Sequence, residues 1–158
     1  LGKLRKSKNY IKSIINVVPD LLILLDEKLN YVNIWTSRQE DLINSKQDLV
    51  GNNIANYLPK KDEKKFKKYS QLAFRKNEVQ TFEYRLEIRK EIKFFETHLL
   101  TTKSKNEEDR KVLAVIRNIS ERKKLERNYV RVNKDIKNWL TFYHKHCGRQ
   151  IKKVILPI

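Results

Sequence analysis

The chain holds no methionine, one cysteine, three glycines and three prolines in 158 residues. Cys147 has no second cysteine with which to close an internal disulfide, and a single cysteine suits a reducing compartment, so the expected location is cytoplasmic. No stretch approaches the roughly 20 apolar residues that span a bilayer. No succession of charged, apolar and small residues marks a secretory signal either. With so few glycines there is no phosphate-cradling loop, and no serine, histidine and acid fall at the spacing of a triad, so residues 1–126 assemble no active site. Any enzymatic activity is expected from an output domain outside this chain. The start at Leu1 without methionine reads as a piece excised from a longer protein.

What the chain has in abundance is positive charge, +17 formally. Basic faces gain affinity for nucleic acid by releasing counterions from phosphates, which makes a basic nucleic-acid-binding protein one alternative reading. The charge is spread along the chain, however, with no zinc spacing or helix-turn-helix pair to focus it, so no sequence-specific nucleic-acid contact is expected. Its densest stretch, PKKDEKKFKKYSQLAFRK, has eight basic and two acidic residues. Phe66, Tyr69, Ala73 and Phe74 recur there at helical spacing, which places most of the lysines on a solvated face. Membrane contact is expected only through such a basic surface or through segments outside the chain.

The length suits one domain of about 100 residues with helical extensions. Leu4, Ile11, Ile14, Ile15 and Val18 repeat at helical spacing before Pro19, so residues 1–17 read as an amphipathic helix or linker. Residues 18–120 read as the domain. Leu21 to Leu25 and Tyr31 to Trp35 form two strands around the turn residues Asp26 to Asn30, and short helices with a turn at Gly51 follow. Phe82, Tyr84, Leu86 and Ile88 alternate strictly with charged residues, predicting a strand with one buried face. Ile92 to Thr102 is apolar on both faces and predicts a strand covered on both sides, and Val112 to Ile116 an inner strand. The expected class is α+β, a five-stranded antiparallel sheet with short helices on one face and amphipathic helices flanking it at both ends.

At Arg117 to Glu126 the sequence reads RNISERKKLE, where the apolar strand gives way to a charged helical pattern with Ser120 as a suitable N-cap. This segment resembles the closing motif of PAS sensory domains, D-I-T-E-R-K-x-x-E, with Asn118 and Ser120 in place of aspartate and threonine. VVPDLLILLDEKLNYVN (Val17 to Asn33) is similar to the family's opening, and DLVGNNIANYLP (Asp48 to Pro59) to its L-x-G-x-x-x-x-x-x-x-P segment. FEYRLEI and FFETHL resemble the variant found upstream of kinases and diguanylate cyclases. The resemblance implies a PAS sensory and dimerisation module of a multidomain signal-transduction protein, a sensor histidine kinase foremost, with a diguanylate cyclase input domain as the alternative. It also implies a signal junction at Asn118, Ser120, Glu121 and Arg122. There the family's aspartate pairs with a basic residue, and Arg5, Lys12 or Arg122 is the expected partner, so that aspartate at position 118 would tighten the junction.

Residues 121–158 read as the signalling helix and the start of an output domain. Leu125, Tyr129, Val132, Ile136, Trp139 and Tyr143 are spaced four, three, four, three and four apart, a heptad seam of the kind that pairs two helices into a homodimer. His146 lies 26 positions after Ser120, near where histidine kinases place their phospho-acceptor, and is a candidate for that role. Cys147 and Ile151 depart from the acid and proline that the resemblance implies. His144, His146 and Cys147 lack a fourth ligand nearby, so no metal is expected. PAS domains hold ligands between sheet and helices, which makes Trp35, Tyr57, Phe66, Phe74 and Phe95 candidates to line a pocket for an unknown small molecule, if any ligand binds. Flavin adduct chemistry is excluded by the lack of a cysteine in the helical region, and haem is disfavoured because Pro59 to Asn77 contains no histidine.

Overall fold

The computed structural model describes residues 20–102, 106 and 109–147. The helix expected over residues 1–17 lies outside them. The chain divides into two compact units, Leu1–Ser120 and Glu121–Ile158.

In the first unit, strands β1 (Leu21–Leu25) and β2 (Tyr31–Trp35) form a hairpin, and β3 (Gln80–Ile88) and β4 (Glu91–Thr101) form a second. Strand β5 (Val112–Asn118) lies between them, antiparallel to both β1 and β4, giving the order β2-β1-β5-β4-β3. Two 3-10 turns (Gln39–Asp41 and Ile54–Asn56), the short helix α1 (Lys46–Leu49) and the long helix α2 (Lys60–Lys76) lie in the connection from β2 to β3. Ser45 caps α1, its hydroxyl accepting from the Asp48 N–H, and Gly51 turns the chain after it at φ 88°, a left-handed conformation that glycine adopts without a Cβ penalty. Asn77 ends α2 in the same region at φ 52°.

Alternation decides which residues make the core. Leu21, Ile23 and Leu25 of β1, Phe82, Tyr84, Leu86 and Ile88 of β3, Phe95 and Leu99 of β4, and Val112, Ala114 and Ile116 of β5 are buried. Leu42, Leu49, Ile54 and Phe66 pack against them from the connecting segment. Each fully buried aliphatic side chain contributes about 1.5–3 kcal/mol. Strand β4 departs from the reading of its sequence. Only one of its faces is buried, the other is half-buried, and Ile92 is 60% exposed near its start. Glu83, Arg85 and Glu87 are exposed on the edge strand β3, where charge discourages pairing with a second sheet.

Arg89 and Lys90 join β3 to β4 with φ values of 53° and 67°. Two consecutive left-handed residues make a type I′ hairpin turn, for which Asn-Gly is the favoured pair. An L-residue with a Cβ costs about 1–2 kcal/mol in this conformation. Replacing Arg89-Lys90 with Asn-Gly is expected to stabilise the domain by about 1 kcal/mol, after allowing for the unfolded-state entropy of glycine. A higher urea midpoint at an unchanged m-value checks this.

The second unit is described over helix α3 (Ser120–Cys147), whose first residue belongs to the first unit. None of its residues is buried. No helix among the described residues is long and apolar enough to cross a membrane.

Candidate ligand cavity and signal junction

The core of the first unit holds a small, partly open cavity of about 30 Å³, lined by residues that include Leu25, Tyr31, Asp41, Phe66, Tyr84 and Phe95. One water needs roughly 10–15 Å³, and sites for small organic molecules run to about 300–1,000 Å³. The cavity is therefore closely packed in this conformation, and anything larger than water enters by moving its walls. Of the five aromatic candidates, Phe66 and Phe95 line it and Trp35, Tyr57 and Phe74 do not. The Tyr57 ring meets Tyr31 edge-on at 6.2 Å, and its hydroxyl donates to the Asp48 carbonyl at 2.8 Å. Tyr31 and Tyr84 do line the cavity, and burial raises both phenols well above their usual range, so they remain neutral.

One wall residue is charged. Asp41 is buried, and its Oδ1 accepts from Lys93 Nζ at 3.0 Å and from Asn118 Nδ2 at 2.8 Å. Lys93 also donates to the Glu40 carbonyl at 2.7 Å. A buried carboxylate persists when paired and hydrogen-bonded in this way. The Asn118 amide works in both directions, because its Oδ1 accepts from the Ser120 N–H at 3.0 Å. Ser120 Oγ in turn accepts from the Phe94 N–H at 3.0 Å, and the Ile119 N–H donates to the Phe94 carbonyl at 2.8 Å. A continuous set of hydrogen bonds thus runs from the cavity wall through Asn118 to the first residue of α3.

This corrects the expected partner of Asn118. The group opposite it is a carboxylate, Asp41, and not a base, which is why an amide donor suits the position. Arg5 and Lys12 lie outside the described residues, and Arg122 instead approaches Glu126 at 3.7 Å. The basic residue of the closing strand has its own partner: Arg117 donates from Nε and Nη2 to the two carboxylate oxygens of buried Asp20, both at 3.0 Å. The hydrogen bond and charge of Asp20 raise the Arg117 pKa further above its usual range. That bidentate pair clamps the point where the chain enters the sheet to the strand by which it leaves.

Along α3, Leu125, Tyr129, Val132, Ile136 and Trp139 are 50–70% exposed. Trp139 stacks on Tyr143 at 4.9 Å, and Phe142 on His146 at 4.2 Å. His146 Nδ1 lies 2.9 Å from the Phe142 carbonyl, which can only accept, so that nitrogen carries a proton. His98 sits 3.3 Å from Glu96 and 3.0 Å from Thr81 Oγ1 on the sheet face opposite the core. No three His, Cys, Asp or Glu side chains among the described residues converge as a metal site.

No protein-family profile matches the sequence, and no curated protein matches it significantly. Solved structures do match. The PAS domain of an HTR-like protein from Haloarcula marismortui is similar at a TM-score of 0.56 and 19% identity, covering 75% of this chain and 96% of its own. A PAS domain from a two-component sensor histidine kinase is similar at 0.54 and 15%, covering 72% and 97%. The PAS domain of the RpfR quorum-sensing receptor from Cronobacter turicensis, solved in complex with BDSF, is similar at 0.52 and 14%, covering 65% and 95%. With its strand order, its helical connection between β2 and β3 and its closing RNISERKKLE segment, the first unit has the PAS fold.

Proposed function

We propose that this chain is the PAS sensory and dimerisation module of a multidomain cytoplasmic signalling protein, a sensor histidine kinase, with its output domain beyond α3. The observation that carries this reading is the helix itself. It leaves the central strand of the sheet through a hydrogen-bonded junction and bears an apolar seam that is exposed among the described residues. Such a seam is the signature of a helix that pairs, here in a parallel homodimer. The signal is a small molecule whose entry displaces the wall around Asp41, frees the Asn118 amide and shifts the population of helix arrangements. The likeness to a PAS domain from a two-component sensor histidine kinase supports the choice of output, and the BDSF complex of another neighbour supports a ligand in the core.

Replacing Ile136 with Asp puts an unpaired carboxylate in the seam, at a cost of about 3 kcal/mol or more, which weakens association over a hundredfold. Sedimentation is expected to give a dimer for the unmodified chain at micromolar concentration and a monomer for the variant. A monomer in the first case, or an unchanged dimer in the second, overturns the dimerisation reading.

A further inference from the structure

A second cavity, of about 220 Å³, lies outside the core between α2 and the turn joining β1 to β2, and it is lined by polar residues. Glu63, Lys67, Ser70, Gln71 and Phe74 come from one face of α2, at helical spacing, and Glu27, Lys28 and Leu29 come from the turn. Asn53 completes it, with both ends of its amide already committed: Oδ1 accepts from the Ala55 N–H, while Nδ2 donates to the Lys28 carbonyl and to Asn30.

Ser70 is the anomaly. It is 3% exposed, and its hydroxyl has no hydrogen-bond partner among the described residues. Buried hydroxyls in native proteins are almost always satisfied, and a helical serine ordinarily bonds to its own helix, so an orphan lining a polar cavity asks for an external partner.

The charges define the class of that partner. Two lysines and two glutamates line the cavity, so it offers a ligand charges of both signs. Glu27 is engaged by Arg110 at 3.5 Å, and the same guanidinium lies over the Phe74 ring at 5.4 Å. Glu63 forms no ion pair among the described residues, which leaves it as the carboxylate available to a ligand in the same lining as Lys28 and Lys67. We propose that this cavity binds a small zwitterion of free amino-acid size. Lys28 and Lys67 take its carboxylate, Glu63 its ammonium group, and Ser70 supplies the remaining hydrogen bond, with Leu29 and Phe74 against its carbon atoms. The volume falls short of the range for drug-sized ligands, which fits a metabolite of few atoms. This site is separate from the core cavity and does not depend on the relay through Asp41.

The test is calorimetric titration of the whole chain with each of the twenty free amino acids, together with their N-acetylated and decarboxylated forms. Saturable binding is expected for one or a few amino acids and at least tenfold weaker binding for both modified forms, since each lacks one of the two charges. Ser70→Ala and Glu63→Gln should each weaken binding at least tenfold. Ser70→Ala should keep or raise the melting temperature, because it deletes an unpartnered buried hydroxyl, and this separates loss of binding from loss of fold. No saturable binding up to about 10 mM, where a Kd of about 1 mM still registers, overturns the proposal. Binding that survives both substitutions unchanged overturns it as well.

Discussion

Asn118→Asp is expected to destabilise the domain by about 2–3 kcal/mol, lowering the melting temperature by at least about 8 °C. The substitution replaces an amide donor 2.8 Å from Asp41 Oδ1 with a second carboxylate, so a charge-assisted hydrogen bond becomes a like-charge contact. Lys93, 3.0 Å from Asp41, offsets part of the repulsion and keeps the loss from being larger. Asn118→Ala should cost less, because it removes the bond without adding charge. Amide exchange over residues 121–129 should quicken in the aspartate variant, since the same side chain holds the Ser120 N–H. Thermal melts and exchange mass spectrometry check both expectations. Equal or greater stability of the aspartate variant would mean that Asp41 and Asn118 do not set the junction, and the family's closing motif taken alone predicts that opposite outcome.

Phe95→Ala carries the larger expected loss, about 3–5 kcal/mol. Its ring is 1% exposed, stacks on Tyr84 at 5.5 Å and lines the core cavity. Truncation removes the ring's contacts and joins the space it leaves to the existing 30 Å³. Because the walls are largely apolar, the enlarged space should stay dry and accept a small aromatic molecule such as benzene or indole, which then restores part of the stability by binding only the folded state. Melting curves of the variant with and without the aromatic test this. A loss below about 1 kcal/mol would indicate that the helices collapse into the space, and the core would then be more plastic than its packing implies.

Much of the sheet is legible in the residues because burial on one face imposes a two-residue period. Phe82, Tyr84, Leu86 and Ile88 point to the core as their alternation with charge requires. Strand β4 misleads because apolar content does not say which face is covered, and Ile92 is exposed despite its side chain. The β3–β4 turn carries no glycine or asparagine, so its type could not be read from Arg89 and Lys90. The candidate pocket was harder still. Aromatic residues announce burial but not direction, and so Phe66 and Phe95 reach the core cavity while Phe74 lines a different one. Asp41 gave no signal at all. It reads as an ordinary loop acid, and its partner Lys93 lies 52 residues away, so only the tertiary fold brings them together. The position of Asn118 was visible in its motif, whereas the sign of the charge facing it was set by a distant segment.

The strand at the centre of the sheet is also the last one to be made. On a ribosome adding roughly 5–20 residues per second, β4 waits about one to three seconds for Asn118 to follow Thr101, and β1 waits several times longer. Throughout that interval each hairpin carries, besides the outer edge it keeps in the finished sheet, an inner edge still unpaired, and the apolar faces of β1 and β4 have no common core to enter. An open edge of that kind templates strand addition from any neighbouring chain. A nascent chain stalled before Val112 therefore presents two templates that the finished sheet has closed, which adds an aggregation hazard specific to synthesis.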